Sequence, residues 1–195
     1  DAASTYDTYA NAGTLHLVSR VTSVGAVSKE ELIALYSEHI SATRGAARSV
    51  YDQIRNSAPN KKCPLCGVGT VAVLDHHLPK TKYPNLSITP ANLVPACHFC
   101  NDKKKARFPK EAEEQTLHPY YDAPLLKETW IKAVLDPGLP PALIYSVSPP
   151  VAWPAVDQKR VERHFTVCGL ATTFTSNAND ELPTLKGYLQ MLDSR

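Results

Sequence analysis

Two short cysteine pairs, Cys63-Pro64-Leu65-Cys66 and Cys97-His98-Phe99-Cys100, enclose a segment of 30 residues. Each pair presents two thiols from a single tight turn, and together they supply the four sulfurs of one tetrahedral zinc. Two unrelated surface pairs, or a thioredoxin-like redox pair, are the competing readings. The second pair, with the knuckle-like Pro64 and Gly67, favours zinc. Sulfur would fill all four coordination positions, so the zinc is expected to be structural and to add folding free energy to a hairpin too small to stand alone. The enclosed segment carries the reactive groups: Leu74-Asp75-His76-His77-Leu78-Pro79, then Asn92-Leu93-Val94, with Asn101 just beyond the second pair.

A chain of 195 residues is long enough for one ordinary core, or for a core and a small zinc-organised subdomain. Hydrophobic residues at 43% and charged residues at 21% are those of a globular protein. A net charge of +2 does not by itself indicate nucleic acid, but its distribution is uneven. Lys103, Lys104, Lys105, Arg107 and Lys110 face one acid, Asp102, between residues 101 and 110, so this block carries about +4 beside the candidate site. Four cysteines in metal spacing, with Cys168 apart, fit a reducing compartment better than a disulfide framework. No stretch reaches the roughly 18 apolar residues of a membrane span. The sequence opens on Asp1 rather than Met, so the lack of a visible signal peptide carries little weight, and a cytoplasmic location is the default expectation.

Residues 1–27 read as irregular or short-strand chain. Ser28-Lys29-Glu30-Glu31 is a capping box that opens a helix, and a second helical pattern runs from about Thr43 to Ser57. Thr70 to Leu74 is a β-rich strand, residues 78–91 with their three prolines a loop, Asn92 to Pro95 a second strand, and Phe99 to about Arg107 a helix. Downstream, Leu117 to Asp122 is an aromatic turn. Trp130 to Leu135 and Leu143 to Val147 form a strand pair or a helix and a strand, and helical patterns follow near 157–169 and 180–192.

Phosphodiester cleavage needs a base to activate water, a divalent cation to offset charge on the phosphorane, and groups that fix both. Asp75-His76 at a strand end would point a carboxylate and an imidazole to opposite sides, one for a metal and one for water. Alone, the dipeptide is more often a turn cap beside an ordinary polar residue. Within this frame the residues resemble the HNH endonuclease family, in its zinc-stabilised branch with two Cys-x-x-Cys pairs. Asp75-His76-His77-Leu78-Pro79 matches the leading motif, Asn92 the central Asn, and Asn101 the final His-or-Asn position. The spacing also looks like the HNH domain of CRISPR RNA-guided nucleases, which usually lacks the zinc. The likeness spans about residues 63–107, under a quarter of the chain.

The resemblance implies an α+β protein containing a ββα-metal (HNH, treble-clef-like) unit with structural zinc at Cys63, Cys66, Cys97 and Cys100. That core, residues 59–122, is expected between a mostly helical region at 1–58 and an α/β extension at 123–195. It implies His76 as general base, Asp75 and Asn101 as ligands of a catalytic Mg²⁺ or Mn²⁺, and Asn92 as a brace of the loop. A one-residue shift would instead make His76 the ligand and His77 the base; Pro79 favours the first register. His98 is expected to face solvent or phosphate. His118 reads equally as a further metal ligand or as part of a packing turn. Lys103, Lys104, Lys105 and Arg107 are expected to contact the nucleic-acid backbone, DNA before RNA. The flanks are candidates for a protein partner or dimer. The implied activity is phosphodiester hydrolysis, in settings such as bacterial defence, and the alternative is a non-catalytic zinc-dependent nucleic-acid-binding or interaction module.

Overall fold

The computed structural model describes residues 2–138 and 140–193. Helix α1, Ala2–Asn11, replaces the irregular or short-strand chain read from the sequence. Its two buried residues, Tyr6 and Ala10, are one turn apart and pack with Leu15 and Val18 onto Leu78, Tyr83 and Leu86 of the proline-rich loop. Tertiary burial of one face thus makes a helix of a segment whose own propensity is weak. A two-residue ribbon, β1 (Ser23–Val24) and β2 (Val27–Ser28), leads into α2, Lys29–Ala34. Its capping box forms as read: Ser28 Oγ accepts from the Glu31 amide, and the Glu31 carboxylate accepts from the Ser28 amide at 2.8 Å. The helix widens into a π-helical stretch, Leu35–Ile40, which turns Tyr36 and Ile40 inward. Helix α3, Arg48–Asn56, begins later than the sequence pattern suggests, with Arg48 turned back onto the Ser41 carbonyl (2.8 Å) and paired with Asp52.

Strands β3 (Val73–His76) and β4 (Leu93–Ala96) pair antiparallel, Asp75 opposite Val94 and His76 opposite Leu93. Pro95 sits opposite Leu74, tolerated because each strand of a two-stranded ladder is an edge. Helix α4, His98–Lys104, follows directly. After the short α5, Ala123–Lys127, the segments with two readings resolve as an antiparallel strand pair, β5 (Ile131–Asp136) and β6 (Ala142–Val147). The chain ends in α6 (Ala155–Val167) and α7 (Leu170–Asp193). The last helix is longer than its sequence pattern: its weak first half is held where the Phe174 ring meets Tyr145 (5.5 Å between centroids) and Asn179 Oδ1 accepts from the Leu143 amide (3.1 Å).

The fold is therefore α+β, with small sheets among helices. Its three apolar clusters all reach the central segment. Tyr36, Ile40 and Tyr51 meet Leu74 and Leu93, and α1 covers the loop. Trp130, Val161, Phe165 and Leu170 surround the cysteine pairs. No helix among the described residues is long and apolar enough to cross a membrane.

Candidate metal centre and active-site cleft

Cys63 and Cys66 close a knuckle in which the Gly67 amide donates to the Cys63 carbonyl (2.7 Å), a turn that holds Gly67 at φ +73°. The Gly69 amide donates to Cys66 Sγ at 3.3 Å, and the Cys100 amide to Cys97 Sγ at 3.5 Å across the start of α4. Gly69 has to lack a side chain, because a Cβ there would lie 2.8 Å from Cys97 Sγ. The four cysteines are buried and their sulfurs lie within 4.8 Å of one another, with Cys66 and Cys97 Sγ 3.9 Å apart. A tetrahedral zinc with bonds of about 2.3 Å requires sulfurs roughly 3.8 Å apart, so the donor set fits zinc, and the amides suit thiolates. Cys168, isolated in the sequence, is buried in the same cluster.

Asp75, His76 and Asn101 line one cleft of about 550 Å³, joined by Pro79, Lys80 and Lys105. The His76 ring is braced edge-on against Tyr36, 4.4 Å between centroids, and its Nε2 donates to the Ser87 carbonyl at 2.9 Å. A carbonyl can only accept, so the hydrogen sits on Nε2 and Nδ1 keeps the lone pair. Burial pulls this imidazole down to about 4; the Ser87 carbonyl opposes the shift and the ammoniums of Lys80 and Lys104 add to it. His76 is therefore neutral near pH 7.

Asn92, fully buried, ties the loop together: Oδ1 accepts from the Leu78 amide (2.7 Å), and Nδ2 donates to the carbonyls of Leu78 (2.9 Å) and Leu86 (3.1 Å). His77 points away from the cleft and stacks on His118 at 4.2 Å, burial holding it well below the usual imidazole range. His118 is not among the residues that line the cleft. Nε2 shares a hydrogen bond with the Tyr6 hydroxyl (2.9 Å), and Nδ1 accepts from the Tyr120 amide (3.3 Å), which leaves neither nitrogen for a cation. Asp122 fixes that turn, accepting from the His118 amide at 2.7 Å and from Arg160 of α6 at 2.5 Å. His98 is exposed.

The basic run divides. Lys103, Lys105 and Arg107 are exposed, whereas Lys104, expected on the same solvated face, is 3% exposed and paired with Asp75. The reason is helical spacing. Lys104 lies four residues after Cys100 and shares the face that Cys100 turns inward, and that signal was already present in the sequence. Lys80, directly after Pro79, is a cleft residue that the motif does not include; Tyr36 and the Ser87 carbonyl carry no motif signal at all. Lys105 caps α4 at φ +51°, a conformation that costs a non-glycine residue of order 1–3 kcal/mol, and its side chain lines the cleft.

Over 162 residues the chain is 34% identical to protein ea31 of Escherichia phage lambda, a match that takes in 82% of this chain and 54% of ea31. Over 70 residues it is 36% identical to the Septu protein PtuB of Bacillus thuringiensis, taking in 33% of this chain and 26% of PtuB. The chain thus spans about half the length of the first relative and about a quarter of the second. No protein-family model matches it, and no solved structure does. The four-cysteine cluster fits a zinc site of the kind that the sequence spacing predicts.

Removing the zinc should unfasten the hairpin from α4. The protein as purified is expected to hold about one zinc per chain, and Cys97→Ser to lower that content. In hydrogen exchange, β3, β4 and α4 should lose protection before α6 does. A zinc-free protein with unchanged protection in these elements would contradict a structural role.

Proposed function

We propose that this chain is a metal-dependent endonuclease of HNH type, hydrolysing phosphodiester bonds in DNA on a ββα-metal unit formed by β3, β4 and α4. The observation that carries the reading is the meeting of a neutral buried imidazole, a carboxylate and an amide in one lysine-flanked cleft. His76 Nδ1 is the atom that takes a proton from water, since Nε2 is committed to Ser87. The Tyr36 ring and the Asn92-braced loop keep the imidazole aimed. Asp75 and Asn101 offer oxygen donors from the same cleft, which suits a hard cation such as Mg²⁺ or Mn²⁺ that keeps most of its water. When bound, that cation supplies charge to offset what gathers on the phosphate and the leaving 3′ oxygen. Lys80 and Lys105 line the cleft where flanking phosphates would lie, and Lys103 and Arg107 extend the exposed basic face without reading sequence. The products expected are 5′-phosphate and 3′-hydroxyl ends. The relatives belong to a phage and to a bacterium, and we place the activity in conflict between the two.

Plasmid nicking with Mg²⁺ or Mn²⁺ tests the reading. His76→Ala should lower the rate on the order of 10²-fold or more, the usual loss of a general base, with zinc content unchanged. No cleavage by the wild-type chain across Mg²⁺, Mn²⁺ and Ni²⁺, with DNA binding intact, would leave the non-catalytic binder standing.

The pH profile follows from His76. An imidazole lowered to about 4 is the free base above that pH and is lost only as pH falls through it. The kcat/KM of the free enzyme should then be flat from about pH 5.5 to 8. Burial also pushes the Asp75 carboxyl up, so an acid limb near pH 6.5 that persists in Asp75→Asn would mean that the base is a different group or an exposed imidazole.

Lys105→Gly separates backbone cost from side-chain use. It should raise stability by about 1 kcal/mol in urea titration by relieving the positive φ, while weakening DNA binding and its salt dependence. A gain in stability with unchanged DNA binding would show that the side chain is not a contact.

A further inference from the structure

Lys104 Nζ lies 3.0 Å from Asp75 Oδ2, 3.3 Å from Oδ1 and 2.7 Å from the His76 carbonyl oxygen. Nζ donates to Asp75 Oδ1 and to the His76 carbonyl, and Oδ2 completes the ion pair. The side chain is 3% exposed and that of Asp75 6%, so each charge depends on the other. Asp75 nonetheless lines the cleft beside Asn101. The carboxylate that the proposed function assigns to a divalent cation is therefore already neutralised from behind by a fixed monovalent charge. Any cation entering at Asp75 approaches that ammonium across a short, poorly screened distance. Lys104 cannot readily swing away to water, because its side chain is buried and Nζ is also held by the His76 carbonyl of β3.

We propose that Lys104 is a resident counter-cation: it holds Asp75 and β3 in place when no metal is bound, and it sets a low affinity of the cleft for its divalent cation. The proposal rests on the endonuclease reading, in which Asp75 is a metal ligand. It makes Lys104 a positioning residue with a measurable electrostatic role, distinct from the phosphate contacts of Lys103, Lys105 and Arg107.

The test is Mn²⁺ titration of the zinc-loaded full chain, followed by electron paramagnetic resonance of free Mn²⁺. Lys104→Met, which keeps the stem and removes the charge, should bind Mn²⁺ at least tenfold more tightly than wild type, and Lys104→Arg should stay close to wild type. Lys104→Gln serves as the neutral variant if Met at this site does not fold, with zinc content and circular dichroism confirming the fold. Equal or weaker Mn²⁺ binding by a folded neutral variant overturns the proposal. Asp75→Asn distinguishes the two levels. If it leaves wild-type Mn²⁺ binding unchanged, Asp75 is not the ligand, and the metal part of the endonuclease reading falls with the proposal. If it abolishes binding while the neutral variant fails to tighten it, only the role of Lys104 falls.

Discussion

Four sulfurs within 4.8 Å of one another are the constraint on which the rest of the structure depends. The ladder of β3 and β4 has four residues per strand, and α4 seven, well below what such elements need to persist in water. Joining Cys63 and Cys66 to Cys97 and Cys100 closes the loop between them and fixes the start of α4 against the base of the hairpin. The flanks then pack onto that fixed piece. Trp130, Val161, Phe165 and Leu170 enclose the cysteines, Tyr36 and Tyr51 cover β3 and β4, and Tyr6 seals the proline-rich loop. The central segment supplies the register and the flanks supply the apolar area.

Burial decides what each histidine can do. His76, His77 and His118 are all desolvated and all lowered from the ordinary imidazole range. Of the three, only His76 lines the cleft; the other two pack against each other, and tyrosine rings surround His118. Desolvation alone is thus a poor guide to chemistry, and the useful distinction is between a ring nitrogen that is committed and one that is left open. Both nitrogens of His118 are committed, whereas His76 has one anchored to Ser87.

Much of the site was legible because it is local. The cysteine spacing, the helix after Cys97 and the capping box at Ser28 rest on contacts within a few residues, where pattern and physics coincide. The strand read at Thr70–Leu74 instead lies at Val73–His76, because its register is set by pairing with β4. What escaped the sequence was set at long range. Residues 2–11 became a helix because Tyr6 reaches His118 and Asp7 reaches Tyr121, partners more than a hundred residues away. The surroundings of His118 are illegible in sequence for the same reason, since they include Tyr6 and, through Asp122, Arg160. The long α7 is likewise stabilised by β6, not by its own Thr- and Asn-rich start.

Lys104 is a different kind of miss, because the information was local and a charge-run reading overlooked it. Once Cys100 must face the sulfurs, helical periodicity sends Lys104 to the same buried side and leaves Lys103 and Lys105 outside. One short helix therefore does three things by phase alone. It gives Cys97 and Cys100 to the sulfur cluster, Lys104 to the carboxylate of β3, and Asn101 with the cap residue Lys105 to the cleft. Turning α4 by one residue would disturb all three at once, so the sulfur cluster that fixes its phase also fixes the electrostatics around Asp75.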